Sequence, residues 1–202
     1  MDTVSQRSIL PGFGQPVADA QYGFRTAMDA LARPAVPMPF TPALQAPLMP
    51  EMASLALSLL DFEVTFWLSP SLDSVSSVGH YLRFHTGSRE VANPAAASFA
   101  FLDLTAGNRL DLAAFAQGTG EYPDRSTTIV AVCDGFAPLP GLMAEGPGIK
   151  DRLPFGFSPM PVDFVAQWAR NRDSFPLGVD LLFVTSGRLM GLPRSTRILS
   201  EG

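Results

Sequence analysis

Arg83 and His85 are two side chains whose types could bind an anion. They stand two positions apart in Leu82–Thr86, and in an extended segment both would project from one face. The alternative, which we favour, is a surface loop after a helix, in which His85 caps a backbone carbonyl. With two histidines and one cysteine in the chain, a Cys/His zinc site is implausible. We predict no metal, although a site built from carboxylates stays an open alternative.

Asp180 is unusual for its position, because it stands near the start of an otherwise apolar strand. A carboxylate buried there must be paired, hydrogen-bonded or neutral, and Arg194 beyond the next strand could be its partner. Two interpretations stay open: a structural ion pair, which we favour, and a ligand pocket in which Arg194, Ser195 and Thr196 hold phosphate oxygens. We identify no catalytic residue. The candidate ligand-binding residues are Arg83, His85, Asp180 and Arg194.

The segment Gly146–Lys150 contains a Gly-Pro-Gly sequence that could bring backbone amides close to phosphate oxygens. It lacks the Gly-Lys-Ser/Thr ending of a phosphate loop, so we favour a plain turn. Lys150 is the only lysine, and so the sole candidate for a Schiff base to a cofactor such as pyridoxal phosphate. Because it adjoins the turn and Asp151-Arg152, we expect it to be solvated, paired and protonated. We therefore predict no cofactor. A serine hydrolase has no support either, since no serine lies in a Gly-X-Ser-X-Gly sequence.

The composition predicts one soluble domain. The chain has 202 residues, of which 47% are apolar and 16% charged, enough for a substantial core. A net charge of -5 gives no reason to expect nucleic acid or an anionic membrane as a partner. The start lacks a signal peptide, and no run approaches the roughly 18 apolar residues of a membrane helix. With its single cysteine, Cys133, in an apolar strand, the chain fits a reducing, cytoplasmic setting.

Short strands and helices alternate along the sequence, which predicts a three-layer α/β domain with a mixed sheet. An irregular arm covers residues 1–16, and a single domain covers 17–202. A hairpin closes the chain, with an apolar strand at 179–184, a turn at Ser186-Gly187 and a second strand at 189–192. Other strands are expected at 64–68, 97–104, 127–133 and 142–145. Helices are expected at 17–33, 51–60, from 71 or 73 towards 82, at 110–117 and at 162–171.

Two further expectations concern the first third of the chain. In the first helix, Phe24, Met28 and Leu31 recur at helical spacing together with Ala20 and Ala27, so we expect these five residues to form its apolar face. Five prolines between Pro34 and Pro47 predict no regular structure there.

Several short sequences together resemble the PhnH family, a component of the bacterial carbon-phosphorus lyase system for phosphonate degradation. They span about residues 17 to 198 and appear in the family's order. The main ones are Phe175–Asp180, Leu192–Thr196 and Leu82–Thr86, joined by Asp19-Ala20-Gln21 with Phe24-Arg25, Gly118-Thr119 and Gly146–Ile149. The proline-rich segment and residues 151–160 match nothing in that pattern.

The resemblance implies a fold similar to the core of pyridoxal-phosphate-dependent transferases, without the cofactor. It implies work inside a complex with subunits G, I and J, which displaces adenine from ATP with a phosphonate to give ribose 1-phosphonate 5-triphosphate. It assigns no catalytic residues to this chain. The alternatives are a stand-alone protein that binds a nucleotide or phosphonate, and a cofactor-dependent transferase using Lys150. A chain that docks on partners could also expose an apolar patch and form a homodimer in isolation.

Overall fold

The computed structural model describes residues 9–200, and its largest feature is a seven-stranded mixed sheet. The strands of the chain are β1 (Met38–Pro39), β2 (Thr65–Leu68), β3 (Arg89–Glu90), β4 (Phe99–Asp103), β5 (Thr128–Val132), β6 (Leu142–Glu145), β7 (Leu153–Pro154), β8 (Asp180–Thr185), β9 (Arg188–Leu192) and β10 (Arg197–Ser200). The main sheet has the order β1-β9-β8-β5-β4-β2-β3. Neighbours from β8 to β3 are parallel, whereas β9 is antiparallel to both β8 and β1. The predicted α/β class with a mixed sheet is confirmed.

Helices and a small second sheet cover the two faces of the main sheet. The helices are α1 (Pro16–Ala32), α2 (Pro50–Leu59), α3 (Pro70–Asp73), α4 (Ser76–Thr86) and α5 (Phe164–Asp173). One apolar cluster packs α1, α2 and α4 on one face, through residues such as Met52 and Leu82. The other cluster packs α5 and the antiparallel sheet β10-β6-β7 on the opposite face, through residues such as Phe164 and Trp168. The molecule therefore has layers on both sides of the sheet.

The predicted hairpin is present, and β8 is buried on both faces. Leu182 and Val184 point into the first cluster, whereas Leu181 and Phe183 point into the second. Ser186-Gly187 forms the two-residue turn, and Gly187 has a φ of +77°, a conformation that glycine adopts without the strain that a side chain would add. The side chains of β8 alternate between the two apolar clusters, so both faces of the strand are buried. This explains why the strand has a nearly continuous apolar sequence.

The buried face of α1 differs from the one that the apolar spacing predicts. Gly23, Ala27 and Ala30 are the buried residues, while Phe24 and Met28 are 49% and 43% exposed. A Cβ at Gly23 would clash with the side chain of Ser58 on α2. Small residues face the core here because α1 approaches its neighbours too closely for large ones. Of the five predicted residues, Ala27 is fully buried and Leu31 packs on the core.

Three other predictions about local structure were wrong, and some strands were not predicted. Residues 110–117 form no α-helix but a single 3-10 turn at Leu112–Ala114, in which the Ala113 amide donates to the Asp111 side chain. The proline-rich segment contains β1, which pairs with the edge of β9; an edge strand tolerates proline because one side of it needs no donor. The single helix expected from 71 or 73 towards 82 is divided into α3 and α4, and α4 continues to Thr86. The two-residue strands β3 and β7, and β10, which pairs with β6, were not predicted.

The arm predicted for residues 1–16 is described only in part, because residues 1–8 lie outside the described range. Residues 9–15 have no helix or strand, and α1 begins at Pro16.

Candidate functional site

Asp180 and Arg194 form a bidentate ion pair at the amino end of β8. Arg194 Nε donates to both carboxylate oxygens, at 3.1 Å and 3.2 Å, and Arg194 Nη2 donates to Oδ2. The backbone amide of Arg194 also donates to Asp180 Oδ1 at 2.7 Å. The side chain of Arg194 is only 14% exposed, and that of Asp180 is 19% exposed. The sequence-based expectation of an ion pair between these two residues is confirmed.

The remaining donors of Arg194 hold the neighbouring loops. Nη1 donates to the carbonyl oxygens of Pro123, at 3.0 Å, and Pro176, at 3.3 Å, and Nη2 donates to Ser126 Oγ. A guanidinium has five N–H donors, and all five are used within the chain. A ligand could bind Arg194 only by displacing one of these acceptors.

Arg83 and His85 lie within α4, so both the surface loop that we favoured and the alternative of an extended segment were wrong. Two residues in a helix are about 200° apart, so their side chains leave opposite sides. Arg83 forms an ion pair with Glu90 of β3. Burial raises the pKa of the Glu90 carboxyl, an effect that the Arg83 charge opposes and the nearby Asp73 carboxylate reinforces.

His85 holds the N-terminal segment against α4. Its Nε2 lies 3.0 Å from the carbonyl oxygen of Leu10, and the neighbouring Tyr81 hydroxyl donates to the carbonyl of Pro11 at 3.2 Å. Gly12 lies against the imidazole, since a Cβ there would be 3.0 Å from His85 Nδ1. We predicted from the sequence that His85 contacts a backbone carbonyl, and the structure shows this contact.

The four candidate residues do not form one site. Arg83 pairs with β3 at one edge of the sheet, and Asp180 lies on β8, four strands away. At roughly 4.8 Å per strand, β3 and β8 are about 19 Å apart. Ligand binding by these residues stays a prediction.

The Gly-Pro-Gly segment forms the turn that we favoured, and it is held at both glycines. The Ile149 amide donates to the Gly146 carbonyl at 3.0 Å. A Cβ at Gly146, whose φ is +139°, would lie 3.1 Å from the carbonyl oxygen of Ser195, and a Cβ at Gly148 would clash with the carbonyl of Ala32. This close packing fixes the loop against β10 and the end of α1.

A basic cleft of about 460 Å³ lies beside this turn. Its lining comes from the β6–β7 loop, the last turn of α5 and the start of β10. The lining residues are Glu145, Gly146, Pro147, Ile149, Lys150, Asp151, Arg152, Arg172, Ser195 and Arg197. We call this set the basic cleft.

Two cations of the basic cleft make no ion pair with residues 9–200. Glu145 pairs with Arg152, at 3.2 Å, and with Arg197, at 3.9 Å, whereas Lys150 and Arg172 have no acid partner in that range. Arg172 stacks its guanidinium over Phe175, 5.4 Å from the ring centre, and its Nε is buried without a hydrogen-bond partner. The cleft thus offers four cations and two carboxylates, an excess of two positive charges.

Thr196 lies between Ser195 and Arg197, two residues that line the cleft. It is fully buried, and Trp168 Nε1 on α5 donates to its carbonyl oxygen at 3.0 Å. Its Oγ1 has no hydrogen-bond partner among the described residues. Of the three residues in the predicted phosphate pocket, Ser195 lines the basic cleft, Arg194 is committed to Asp180, and Thr196 is enclosed.

No metal-binding group of three or more His, Cys, Asp or Glu side chains occurs within residues 9–200. Over the same range, no helix has both the length and the apolar character needed to cross a membrane.

Comparison with known proteins settles the family. A sequence model of the family described as "Bacterial phosphonate metabolism protein (PhnH)" matches residues 11–199. The chain belongs to the PhnH family. It is 37% identical over 200 residues to a protein of Rhizobium meliloti (strain 1021) named "Alpha-D-ribose 1-methylphosphonate 5-triphosphate synthase subunit PhnH", with 98% of this chain and 99% of the relative covered. The resemblance to this family, expected from the short sequences, is therefore confirmed.

A second relative comes from Stutzerimonas stutzeri and is named "Putative C-P lyase subunit protein HtxG". It is 34% identical over 111 residues, which cover 55% of each chain. Both relatives are named as subunits, so each belongs to a multi-subunit system.

Proposed function

We propose that this chain is an accessory subunit of alpha-D-ribose 1-methylphosphonate 5-triphosphate synthase, within the carbon-phosphorus lyase complex for phosphonate catabolism. The observation that carries the proposal is the end-to-end match, at 37% identity, to a relative named as that subunit. In this step a phosphonate displaces adenine from ATP. Two residues singled out from the sequence make contacts within the fold: Arg194 forms an ion pair with Asp180, and His85 contacts the carbonyl of Leu10 in the N-terminal segment. An accessory role without a complete active site agrees with that arrangement.

The proposed partners are subunits G, I and J, and the proposed location is the cytoplasm. An apolar stripe on α1 supports docking on one of these subunits. Val17, Phe24 and Met28 are 73%, 49% and 43% exposed, and their spacing of seven and four residues places them on one side of the helix. The stripe runs for about 16 Å along the helix. Apolar residues aligned in this way mark interaction surfaces more often than scattered ones do.

The fold is proposed to be related to the core of pyridoxal-phosphate-dependent transferases. The support is the largely parallel sheet with helices on both faces. No cofactor is proposed for this chain, whose only lysine, Lys150, is an exposed residue of the turn beside the basic cleft.

Reconstitution tests the proposed function. The other synthase subunits are mixed with ATP and methylphosphonate, and the replacement of adenine by phosphonate is followed with and without this chain. We expect product only when the chain is present. Equal product in its absence, with no binding to the other subunits, would contradict the proposal. A sample of the chain unfolded beforehand serves as the control for added protein.

A further inference from the structure

We propose that the basic cleft binds the triphosphate group of a nucleotide or ribose triphosphate. The chain has 14 lysines and arginines against 19 acids, yet four of the 14 line this one cleft. Such a concentration of cations in an acidic protein requires a cause. Side chains that repel one another are held together most readily where an anion offsets the repulsion.

The geometry favours a small molecule with several phosphates. The four cations come from the β6–β7 loop, α5 and β10, so they do not form a row on one helix face. A volume of about 460 Å³ falls within the range typical of small-molecule pockets. A chain of phosphates could contact Lys150 on the loop, Arg172 on α5 and Arg197 on β10 together, whereas one phosphate would reach only some of them.

Two cations are available without breaking the fold. Lys150 and Arg172 have no acid partner among residues 9–200, and the buried Nε of Arg172 has no acceptor. Buried donors without a partner are rare in proteins. The turn at Gly146 and Gly148 is fixed by packing, so the loop that carries Lys150 needs little ordering on binding.

The choice of a triphosphate rests on the proposed function. The relative from Rhizobium meliloti is named after a 5-triphosphate product, which carries the charge that the cleft would neutralise. The excess of cations is independent of that name. Binding of phosphates by the isolated chain can therefore be tested apart from the synthase reaction.

The test is calorimetric titration of the full chain with inorganic triphosphate. We compare the wild type with the double variant Lys150→Gln, Arg172→Gln, which leaves both ion pairs of Glu145 intact. The control is Arg25→Gln, Arg89→Gln, which removes the same charge from exposed positions outside the cleft. We expect saturable binding by the wild type and the control, and at least tenfold weaker binding by the cleft variant.

Three outcomes would overturn the proposal. One is no saturable binding of triphosphate by the wild type. Another is equal weakening in the control, which would indicate a response to net charge alone. The third is unchanged triphosphate binding by the cleft variant together with lost binding to the other subunits, which would make the cleft a protein contact. ATP and inorganic phosphate are titrated in parallel: the proposal requires ATP to bind and single phosphate to bind more weakly than triphosphate.

A purely structural role for Arg172 can be distinguished from ligand binding by measuring thermal stability and triphosphate binding in the same variant. A cation in the last turn of α5 also favours the helix dipole, so its loss would lower thermal stability in Arg172→Gln without changing triphosphate binding. If reconstituted synthase still needs the chain while no triphosphate binds the cleft, the proposed function stands and only this inference fails.

Discussion

Arg194 contacts strand β8 and two loops through one guanidinium: Asp180 on β8, Pro123 and Ser126 in one loop, and Pro176 in the other. Partly buried charges need partners, because the loss of water around them costs free energy. This need is why the sequence alone could predict the partner of Asp180. The additional contacts with the two loops could not be predicted, since they depend on how distant segments fold back.

Asp180→Asn should lower the free energy of unfolding by about 3 kcal/mol, the cost of leaving one buried charge without its partner. The measurement is urea unfolding followed by circular dichroism. Asp29→Asn is the matched control, because it breaks the exposed ion pair with Arg33 and should cost less than about 1 kcal/mol. Equal losses in the two variants would show that the Asp180 pair contributes no more than a surface pair.

Cys133 provides a pH-dependent prediction. Burial raises the pKa of its thiol to about 12, from a usual value near 9. Between these values the unfolded chain loses the thiol proton and the folded chain keeps it, so stability falls as the pH rises. From pH 8 to 10.5, unfolding free energy should fall by about 2 kcal/mol more in the wild type than in Cys133→Ala. Identical pH profiles would indicate a thiol that ionises equally in both states.

At the scale of elements, close packing explains most of the differences between the predicted and observed structure. Apolar spacing predicts that large residues of α1 face the core, whereas the helix lies so close to its neighbours that only Gly23, Ala27 and Ala30 fit. The hairpin was predictable because its apolar run, its turn glycine and Pro193 are all local signals. Strand β10 was not, because its pairing with β6 joins residues more than fifty positions apart.

Gly191→Ala should destabilise the contact between α1 and β9. A Cβ at Gly191 would clash with the backbone of Ala30, and neither a strand nor a helix backbone can move away as a flexible side chain would. We expect a loss of about 2 kcal/mol, within the range for overpacking a well-packed interior, measured by chemical unfolding. Gly120→Ala is the control, since a Cβ there meets no atom within 4 Å. Similar stability of both variants would contradict the close contact.

The basic cleft shows the limit of sequence reasoning about the site. The Gly-Pro-Gly turn and Lys150 were visible as a motif, but Arg172 and Arg197 stand 22 and 47 residues further along. They meet the turn because Trp168 anchors α5 to Thr196 and Gly146 packs on Ser195. Such convergence depends on tertiary packing, and no local pattern signals it.

At the scale of the whole molecule, the outer face of α1 should decide assembly. Phe24→Ser with Met28→Ser removes apolar surface that the chain itself does not bury, so we expect the variant to unfold at nearly the same urea concentration as the wild type. Because the stripe is proposed to lie against a partner protein, binding to the mixed subunits G, I and J should weaken at least tenfold. Size-exclusion chromatography with light scattering, and surface-based binding measurements, test this expectation.

Val75→Ser with Val162→Ser is the matched control, because both valines are exposed but lie apart on other elements and should leave binding unchanged. Light scattering of the isolated chain tests the predicted homodimer at the same time. If Phe24→Ser with Met28→Ser abolished a dimer but left binding to the other subunits intact, the stripe would be a contact between copies. Full binding by a monomeric variant would place the docking surface elsewhere, since a contact centred on α1 cannot lose two apolar side chains without losing affinity.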